Sequence, residues 1–510
     1  MRASTDQERY YSELSAIAHA TPDAIAFIDG EDHVTYSEMR ETVEDRAAQL
    51  RSGGLQAGGR VAIIAENSAN FIMTAIAVWV ARGVLVTIYP SIPQKDLEST
   101  LADSDPVLVL SDTGTEDLVR GAVREGLPIT LIDTADFVVE SVATDVAPTP
   151  TDLREPLSLI CYSSGTTSRP KAIMLSARAL YNGARVYADV WGLQSHDVTL
   201  VSLPMAWLYG LDTSSMSTLL VGGTVVSLRR SRPELIAEAI ERRRVTIFPT
   251  VTTVLGKLAR FLDSDERRWD LSSLRLIVSG GEPRNEQAFN LLRKYTSIPV
   301  HDTYCPSESF PLITYDPRLD PEPKQGSAGR IVPNALMRVV DAEGRDVAPG
   351  ETGEALASGP GLMLGYWNDP ELTAESLTDD GWYKTKDLVR VDSDGYVYVV
   401  GRLSDMIIRG GSNVSPGEVE STLREHNSVL EAAVVGVPDP EYGEEVVAVI
   451  QLADGADIAD EELEAFVTER LARFKVPSRF VRVDELPLNS TTQKINRSKV
   501  RQMLQEGVRS

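Results

Sequence analysis

Apolar residues along this chain fall into two alternating patterns, short uninterrupted runs and longer amphipathic stretches. Over roughly the first 400 residues the runs include Val61-Ala62-Ile63-Ile64, Val107-Leu108-Val109-Leu110, Val198-Thr199-Leu200-Val201 and Leu276-Ile277-Val278. Unbroken runs of this kind predict strands buried on both faces. Their interleaving with helical stretches predicts an α/β fold with largely parallel sheets in layers. No repeat of fixed period is visible. The stretch from Phe71 to Pro90 is apolar enough to raise the question of a membrane span. Arg82-Gly83 cuts it into a helix-like half and a β-branched half, Val84-Leu85-Val86-Thr87-Ile88, which predicts a buried helix followed by a buried strand and no span.

The texture changes near Gly401. Two apolar runs, Ala432 to Val437 and Val446 to Ile450, flank an acidic turn, and a helix is expected over Glu461 to Arg473. The pattern predicts a large N-terminal domain over residues 1–401 and a small α+β domain over residues 402–510. The boundary falls between Arg402 and Asp405, after the strand expected at Tyr396 to Val400.

Length supports that division, since 510 residues exceed what one core usually organises. A formal charge of −25 argues against a nucleic-acid partner, which would call for surplus Lys and Arg. Small polyanions such as ATP are less affected, because a few cations and backbone amides suffice for them. Two cysteines, Cys161 and Cys305, make neither a disulfide framework nor a thiolate metal site. Met1 to Leu14 lacks the apolar stretch of a secretory signal, and a soluble cytoplasmic protein is expected.

The most informative segment is Tyr162-Ser163-Ser164-Gly165-Thr166-Thr167-Ser168-Arg169-Pro170-Lys171, entered from an apolar strand at Leu157 to Cys161. Hydroxyls and amides on a loop after a strand make a phosphate cradle, and a lysine adds charge to it. The Walker spacing is absent. By composition alone, a polar surface loop rich in Ser and Thr fits equally well.

Read as a string, Ser-Ser-Gly-Thr-Thr-x-x-Pro-Lys resembles the signature loop of the adenylate-forming superfamily, which holds acyl-CoA synthetases, peptide-synthetase adenylation domains and beetle luciferases. Other segments resemble the family's patterns in the same order. They are Ser279-Gly280-Gly281-Glu282-Pro283, Tyr304-Cys305-Pro306-Ser307-Glu308, Trp382-Tyr383-Lys384-Thr385-Lys386-Asp387-Leu388, Gly401 to Asp405, and Pro416-Gly417-Glu418-Val419-Glu420. Lys494, beyond Leu486-Pro487, falls where the family has its late lysine. An ordered series over most of the chain is far more specific than any one match.

The resemblance implies ATP (or acyl-AMP), Mg²⁺ and coenzyme A as ligands, and it implies roles residue by residue. Ser163, Ser164, Gly165, Thr166, Thr167, Gly281, Glu282, Pro283, Asp302, Tyr304, Ser307, Asp387 and Arg402 would bind the nucleotide. Tyr304 would stack on adenine, and Asp387 and Arg402 would meet ribose or phosphate. Glu308 and Thr166 would hold Mg²⁺. Lys171, Glu308 and Lys494 would be catalytic, with Lys494 facing the charge that develops as the carboxylate attacks. Each residue also has a plainer reading: a core tyrosine, exposed carboxylates, an Asp–Arg surface pair, solvated lysines. Trp207, Tyr209, Gly280, Cys305 and Ser309 would line the acyl pocket, a mix of aromatic and small groups expected to take an apolar body, whether aromatic, alicyclic or polycyclic. The resemblance also implies a mobile small domain that pivots at Asp405 and presents Gly410-Gly411 to coenzyme A.

The sequence departs from the family at several points. Lys386 replaces a Gly beside Asp387, Ala172 replaces the Gly after Lys171, and Gln493 replaces the Gly before Lys494. Cys305 and Pro306 replace a Gly and a variable residue, and Trp207 stands where many members carry His or another aromatic. The expected activity is an acyl-CoA ligase working through an acyl-adenylate. Its competitors are a partial-reaction variant that only thioesterifies a preformed adenylate, a free-standing ligase loading a carrier protein, and a non-catalytic nucleotide-binding homologue. Oligomeric state stays open, with a homodimer among the options.

Overall fold

The computed structural model describes residues 6–134, 136–150, 153–162, 171–453, 455–487 and 495–506, with the backbone alone at 6–8 and 506. Among these, the continuous apolar runs are the inner strands of two sheets. In a seven-stranded sheet, Leu157–Tyr162, Val84–Thr87, Arg60–Ile64, Leu108–Ser111 and Ile129–Leu131 lie side by side in parallel. Every residue of Arg60–Ile64, Val84–Thr87 and Leu108–Ser111 is buried, as expected where helices cover both faces. The helix Ala69–Val80 is one of those covers. Ser68 caps it by accepting from the amide of Phe71 at 3.1 Å, and the chain returns through Val84–Thr87. The helix-then-strand expectation for this stretch therefore holds. Among the described residues no helix is long and apolar enough to cross a membrane.

The second sheet has thirteen strands. Its middle is parallel, in the order Thr224–Ser227, Val198–Val201, Ile247–Thr250, Leu276–Gly280, Val300–Tyr304. Beyond Val300–Tyr304 it turns antiparallel through Ile313–Thr314, Gly329–Ile331, Tyr396–Arg402, Tyr383–Val391, Thr352–Ser358 and Leu336–Val340. The candidate site lies at this change of direction, off the carboxyl ends of the last parallel strands.

The small C-terminal unit has its own sheet, Ser412–Val414, Ile407–Arg409, Gly443–Leu452 and Val429–Asp439, with Arg479–Arg482 added to Gly443–Leu452. A separate core that includes Ile407, Val419, Leu423, Val434, Ile450, Leu463 and Phe480 fills it. One expectation is corrected here. The helix predicted to reach Arg473 runs only over Asp460–Thr468, and a short 3₁₀ turn, Arg473–Lys475, follows. Lys475 is drawn to Glu418 at 2.7 Å, and Pro477 disfavours helical backbone just before it.

The segment that carries Glu308 is zipped to a neighbouring chain section. Met363 donates to the carbonyl of Glu308 at 2.8 Å, Phe310 donates to that of Gly361 at 3.1 Å, and Ser309 bridges Leu362. A Cβ on Gly361 would stand 1.7 Å from the carbonyl oxygen of Phe310, a clash with backbone that cannot swing aside. Gly361→Ala is expected to lower stability by about 2–3 kcal/mol, read as a shift in urea midpoint. An unchanged midpoint would mean this contact yields freely.

Candidate active site

Leu276–Gly280 and Val300–Tyr304 run side by side, pairing Ser279 with Asp302 and Gly280 with Thr303. Their carboxyl ends deliver Gly281-Glu282-Pro283 and Tyr304 to Ser309. Gly280 permits a close approach: a Cβ there would lie 3.2 Å from Cε1 of Tyr209 and 2.7 Å from the methyl of Thr303. Gly281 and Pro283 are exposed. Two acidic residues expected at the nucleotide have internal partners for their side chains. Glu282 takes the amide of Thr253 at 2.7 Å and its hydroxyl at 3.1 Å, at the start of the helix Thr252–Ser264. Asp302 is paired with Arg284, which also reaches Glu286 at 2.6 Å. Burial pushes the Asp302 carboxyl up to about 6 against the pull of that guanidinium. Ser307 is half-buried in a turn closed by Ser309 donating to the carbonyl of Pro306 at 3.0 Å.

Asp387 and Arg402 are direct cross-strand partners on Tyr383–Val391 and Tyr396–Arg402. Arg402 donates from Nε to Asp387 Oδ1 at 3.3 Å, and the Tyr304 hydroxyl donates to Oδ2 at 2.5 Å. Burial raises the Asp387 carboxyl, while Arg402 and Tyr304 hold it down. The Tyr304 ring is thereby fixed in orientation by its own hydroxyl. Lys386 next door takes a left-handed backbone with φ 59°, the conformation in which glycine is at ease. Ala172 does not: it is a buried residue of the strand Ala172–Ser176, paired with Tyr162, so the loss of glycine there strains nothing.

Lys171 and Glu308 meet on Tyr366. The Tyr366 hydroxyl donates to Glu308 Oε1 at 2.9 Å, and the Lys171 ammonium stands 5.4 Å from the centre of its ring. Tyr366 was not foreseen. Nothing local distinguishes it from a core tyrosine, and its position follows from the pairing of Gly365–Tyr366 with Ala172–Ser176. Burial, with the Glu308 charge as a lesser cause, raises Tyr366 and Tyr383 above the usual phenol range and pushes the Cys161 and Cys305 thiols up to about 12. Both thiols are therefore poor nucleophiles.

Around the residues expected to line the acyl pocket, Asn67 pins the loop ahead of Trp207, accepting from the amide of Met205 at 2.7 Å and donating to the carbonyl of Leu203 at 2.8 Å. Trp207 lies against Tyr89 with ring centres 5.6 Å apart. Tyr209 opens a π-helix, Tyr209–Met216, and donates to the carbonyl of Val278 at 3.3 Å. Cys305 is half-buried and Ser309 buried.

In the small unit, Gly410 and Gly411 are the two left-handed residues of a tight hairpin between Ile407–Arg409 and Ser412–Val414, so the turn itself calls for glycine at both positions. Asp405, the expected pivot, is half-buried and faces Arg497 at 3.7 Å. Arg497 also holds the buried Glu420 through two bonds of 2.8 and 2.7 Å. Arg497 was not foreseen either, since a lone arginine in a polar tail carries no signal until Glu420 is known to be buried. Ser163, Ser164, Gly165, Thr166, Thr167 and Lys494, with Gln493, lie outside the described residues.

Among the described residues, no three acidic, histidine or cysteine side chains gather as an all-protein metal site. Glu308, with one oxygen held by Tyr366, fits a Mg²⁺ that draws its remaining ligands from phosphates and water.

The family model for AMP-binding enzymes matches residues 14–367, and that for the AMP-binding enzyme C-terminal domain matches residues 418–493. A feruloyl-CoA synthase of an Amycolatopsis species is 36% identical, over 92% of this chain and 94% of its own. An indoleacetate–CoA ligase of Aromatoleum aromaticum is 31% identical, over 92% and 93%. The crystal structure of ATP-bound MatB from Rhodopseudomonas palustris matches with a TM-score of 0.86 at 27% identity, covering 97% of this chain and 99% of that one.

Arg497→Ala would strand the Glu420 carboxylate, which is 1% exposed and whose other partner is the amide of Val434 at 2.8 Å. A loss of about 3–5 kcal/mol from the small unit is expected, with the double variant Arg497→Ala/Glu420→Gln recovering at least part of it. Hydrogen exchange of the amides in Val429–Asp439 reads the effect. Equal protection in the single variant and the parent would remove Arg497 from this role.

Proposed function

The chain belongs to the family of AMP-binding enzymes, and from that membership we infer that it is an AMP-forming acyl-CoA ligase for an aromatic carboxylic acid. The observation that carries this reading is a pair of clusters, Lys171, Tyr366 and Glu308 on one side and Tyr304, Asp387 and Arg402 on the other, joined by the short segment from Tyr304 to Glu308. Relatives named for feruloyl and indoleacetyl substrates support the aromatic acid. The cytoplasm is the proposed setting, with the domain division at residue 402 and the pivot at Asp405.

ATP, Mg²⁺ and coenzyme A take part. Bound Mg²⁺ neutralises phosphate charge. In the first half-reaction a carboxylate oxygen bonds to the α-phosphorus, and the bond from that phosphorus to the bridging oxygen breaks, releasing pyrophosphate. In the second, the thiol sulfur of coenzyme A bonds to the acyl carbon, the thiol proton is lost and AMP leaves. Tyr304 offers adenine a ring whose orientation Asp387 fixes. Asp387 accepts from ribose hydroxyls, and Arg402 opposes the upward pull of burial on its carboxyl. Glu308, oriented by Tyr366, supplies the metal oxygen. Lys171 adds positive charge at the phosphates, and Lys494 does so at the attacking carboxylate.

The test supplies purified protein with ATP, Mg²⁺, coenzyme A and a panel of aromatic acids, and follows pyrophosphate and CoA thioester together. At least one acid is expected to give both in equal amounts. Lys494→Ala is expected to slow pyrophosphate release about 100-fold or more while sparing thioester formation from a preformed adenylate. Thioester from the preformed adenylate alone, with no pyrophosphate from any acid, would favour the partial-reaction variant. Thioester on a phosphopantetheinyl carrier but not on coenzyme A would favour the carrier-loading ligase.

A further inference from the structure

Asn67 stands where the seven-stranded and thirteen-stranded sheets meet. It lies three residues past the strand Arg60–Ile64 of the first sheet and is 6% exposed. Its side-chain bonds among the described residues all reach connections of the second sheet, 136 to 161 residues away. Oδ1 accepts from the amide of Met205 at 2.7 Å, while Nδ2 donates to the carbonyls of Leu203 at 2.8 Å and Leu228 at 3.0 Å. Leu203 and Leu228 follow the paired strands Val198–Val201 and Thr224–Ser227. One buried amide group thus fixes two strand ends of one sheet from a strand end of the other, with both its donors and its acceptor satisfied.

The loop held in this way carries Trp207. The amide of Trp207 donates to the carbonyl of Pro204 at 3.0 Å. Gly210 packs against the same carbonyl, where a Cβ would stand 2.3 Å from its oxygen, so the loop has no room on that side. The half-buried Trp207 ring crosses back to the seven-stranded sheet and lies on the half-buried Tyr89, two residues past the strand Val84–Thr87. That strand is the direct neighbour of Arg60–Ile64. Two adjacent strand ends therefore hold the Trp207 loop, one through its backbone and one through its ring.

We propose that Asn67 is a positioning residue that holds Trp207 against Tyr89 across the seam between the sheets, and so fixes a wall against which the acid binds. The inference rests on the ligase reading above, in which Trp207 lines the acyl pocket. Asn67 acts only through the loop it pins. Its three bonds pre-organise the ring before the acid arrives, and without them the ring is free to leave the productive position.

Two readouts test this, and the first needs no substrate. Asn67→Ala is expected to shift the tryptophan emission of the parent protein and to leave that of a Trp207→Phe background unchanged. The second is a double-mutant cycle on pyrophosphate release, with the aromatic acid that the parent turns over fastest. Asn67→Ala is expected to raise KM for the acid about tenfold or more while KM for ATP stays within about twofold. Trp207→Ala is expected to raise KM for the acid as well, and the double variant to raise it no further. If the alanine variant does not fold, Asn67→Asp takes its place, since it keeps the acceptor for Met205 and loses both donated bonds. An emission shift that persists in the Trp207→Phe background, equal losses for acid and ATP, or additive effects in the cycle would overturn the assignment. The expected emission result with no pyrophosphate from any acid would uphold the placement of Trp207 and sink the ligase reading instead.

Discussion

The hydrogen bond from Tyr304 to Asp387 is the tie on which the site depends. Tyr304 ends the last parallel strand of the large sheet, and Asp387 sits in its antiparallel part. Asp387 in turn faces Arg402, the last residue before the turn Leu403–Asp405, and Asp405 faces Arg497, which grips Glu420. A nearly continuous line of polar contacts thus runs from Tyr304 to the helix Pro416–Arg424 of the small unit. Asp387 is buried, so the line holds only while both its oxygens stay satisfied, and removing one partner would disturb more than one contact.

What the sequence made legible was whatever is local. Buried parallel strands read as unbroken apolar runs, and Arg60–Ile64, Val198–Val201 and Leu276–Gly280 lie where those runs are. The ordered segments at Gly280, Tyr304, Asp387 and Arg402 were visible as strings, and the fold sets all of them on the large sheet, with Tyr304 bonded to Asp387 and Asp387 to Arg402. What stayed hidden depends on pairing across long separations. Tyr366 meets Glu308 from 58 residues away, and Arg497 meets Glu420 from 77. Asp212, fully buried in the π-helix Tyr209–Met216, was hidden for a different reason: a carboxylate in a polar stretch reads as solvated, and only its burial changes that.

The departures from the family also separate once their backbone is known. Ala172 sits in extended strand, where a methyl costs nothing. Lys386 carries a real strain of about 1–2 kcal/mol, because its left-handed backbone forces Cβ toward a carbonyl oxygen. The amide of Lys386 donates to Glu354 at 3.2 Å, which helps hold that conformation. The strain sits one residue from Asp387, so Lys386 stores a small tension beside that carboxylate without breaking its tie to Tyr304.

Charge poses a separate problem, since a chain at −25 must admit a nucleotide that is itself an anion. At a distance the field of the whole protein repels such a ligand, and salt screens that repulsion beyond about 10 Å. Attraction must therefore be short-range. Arg402 and Lys171 lie within contact of the acidic residues Asp387 and Glu308 or of the aromatic platform beside them. Pairing each cation with a group it already holds keeps it in place without a ligand, and it limits the cation's reach to anions that enter the cleft.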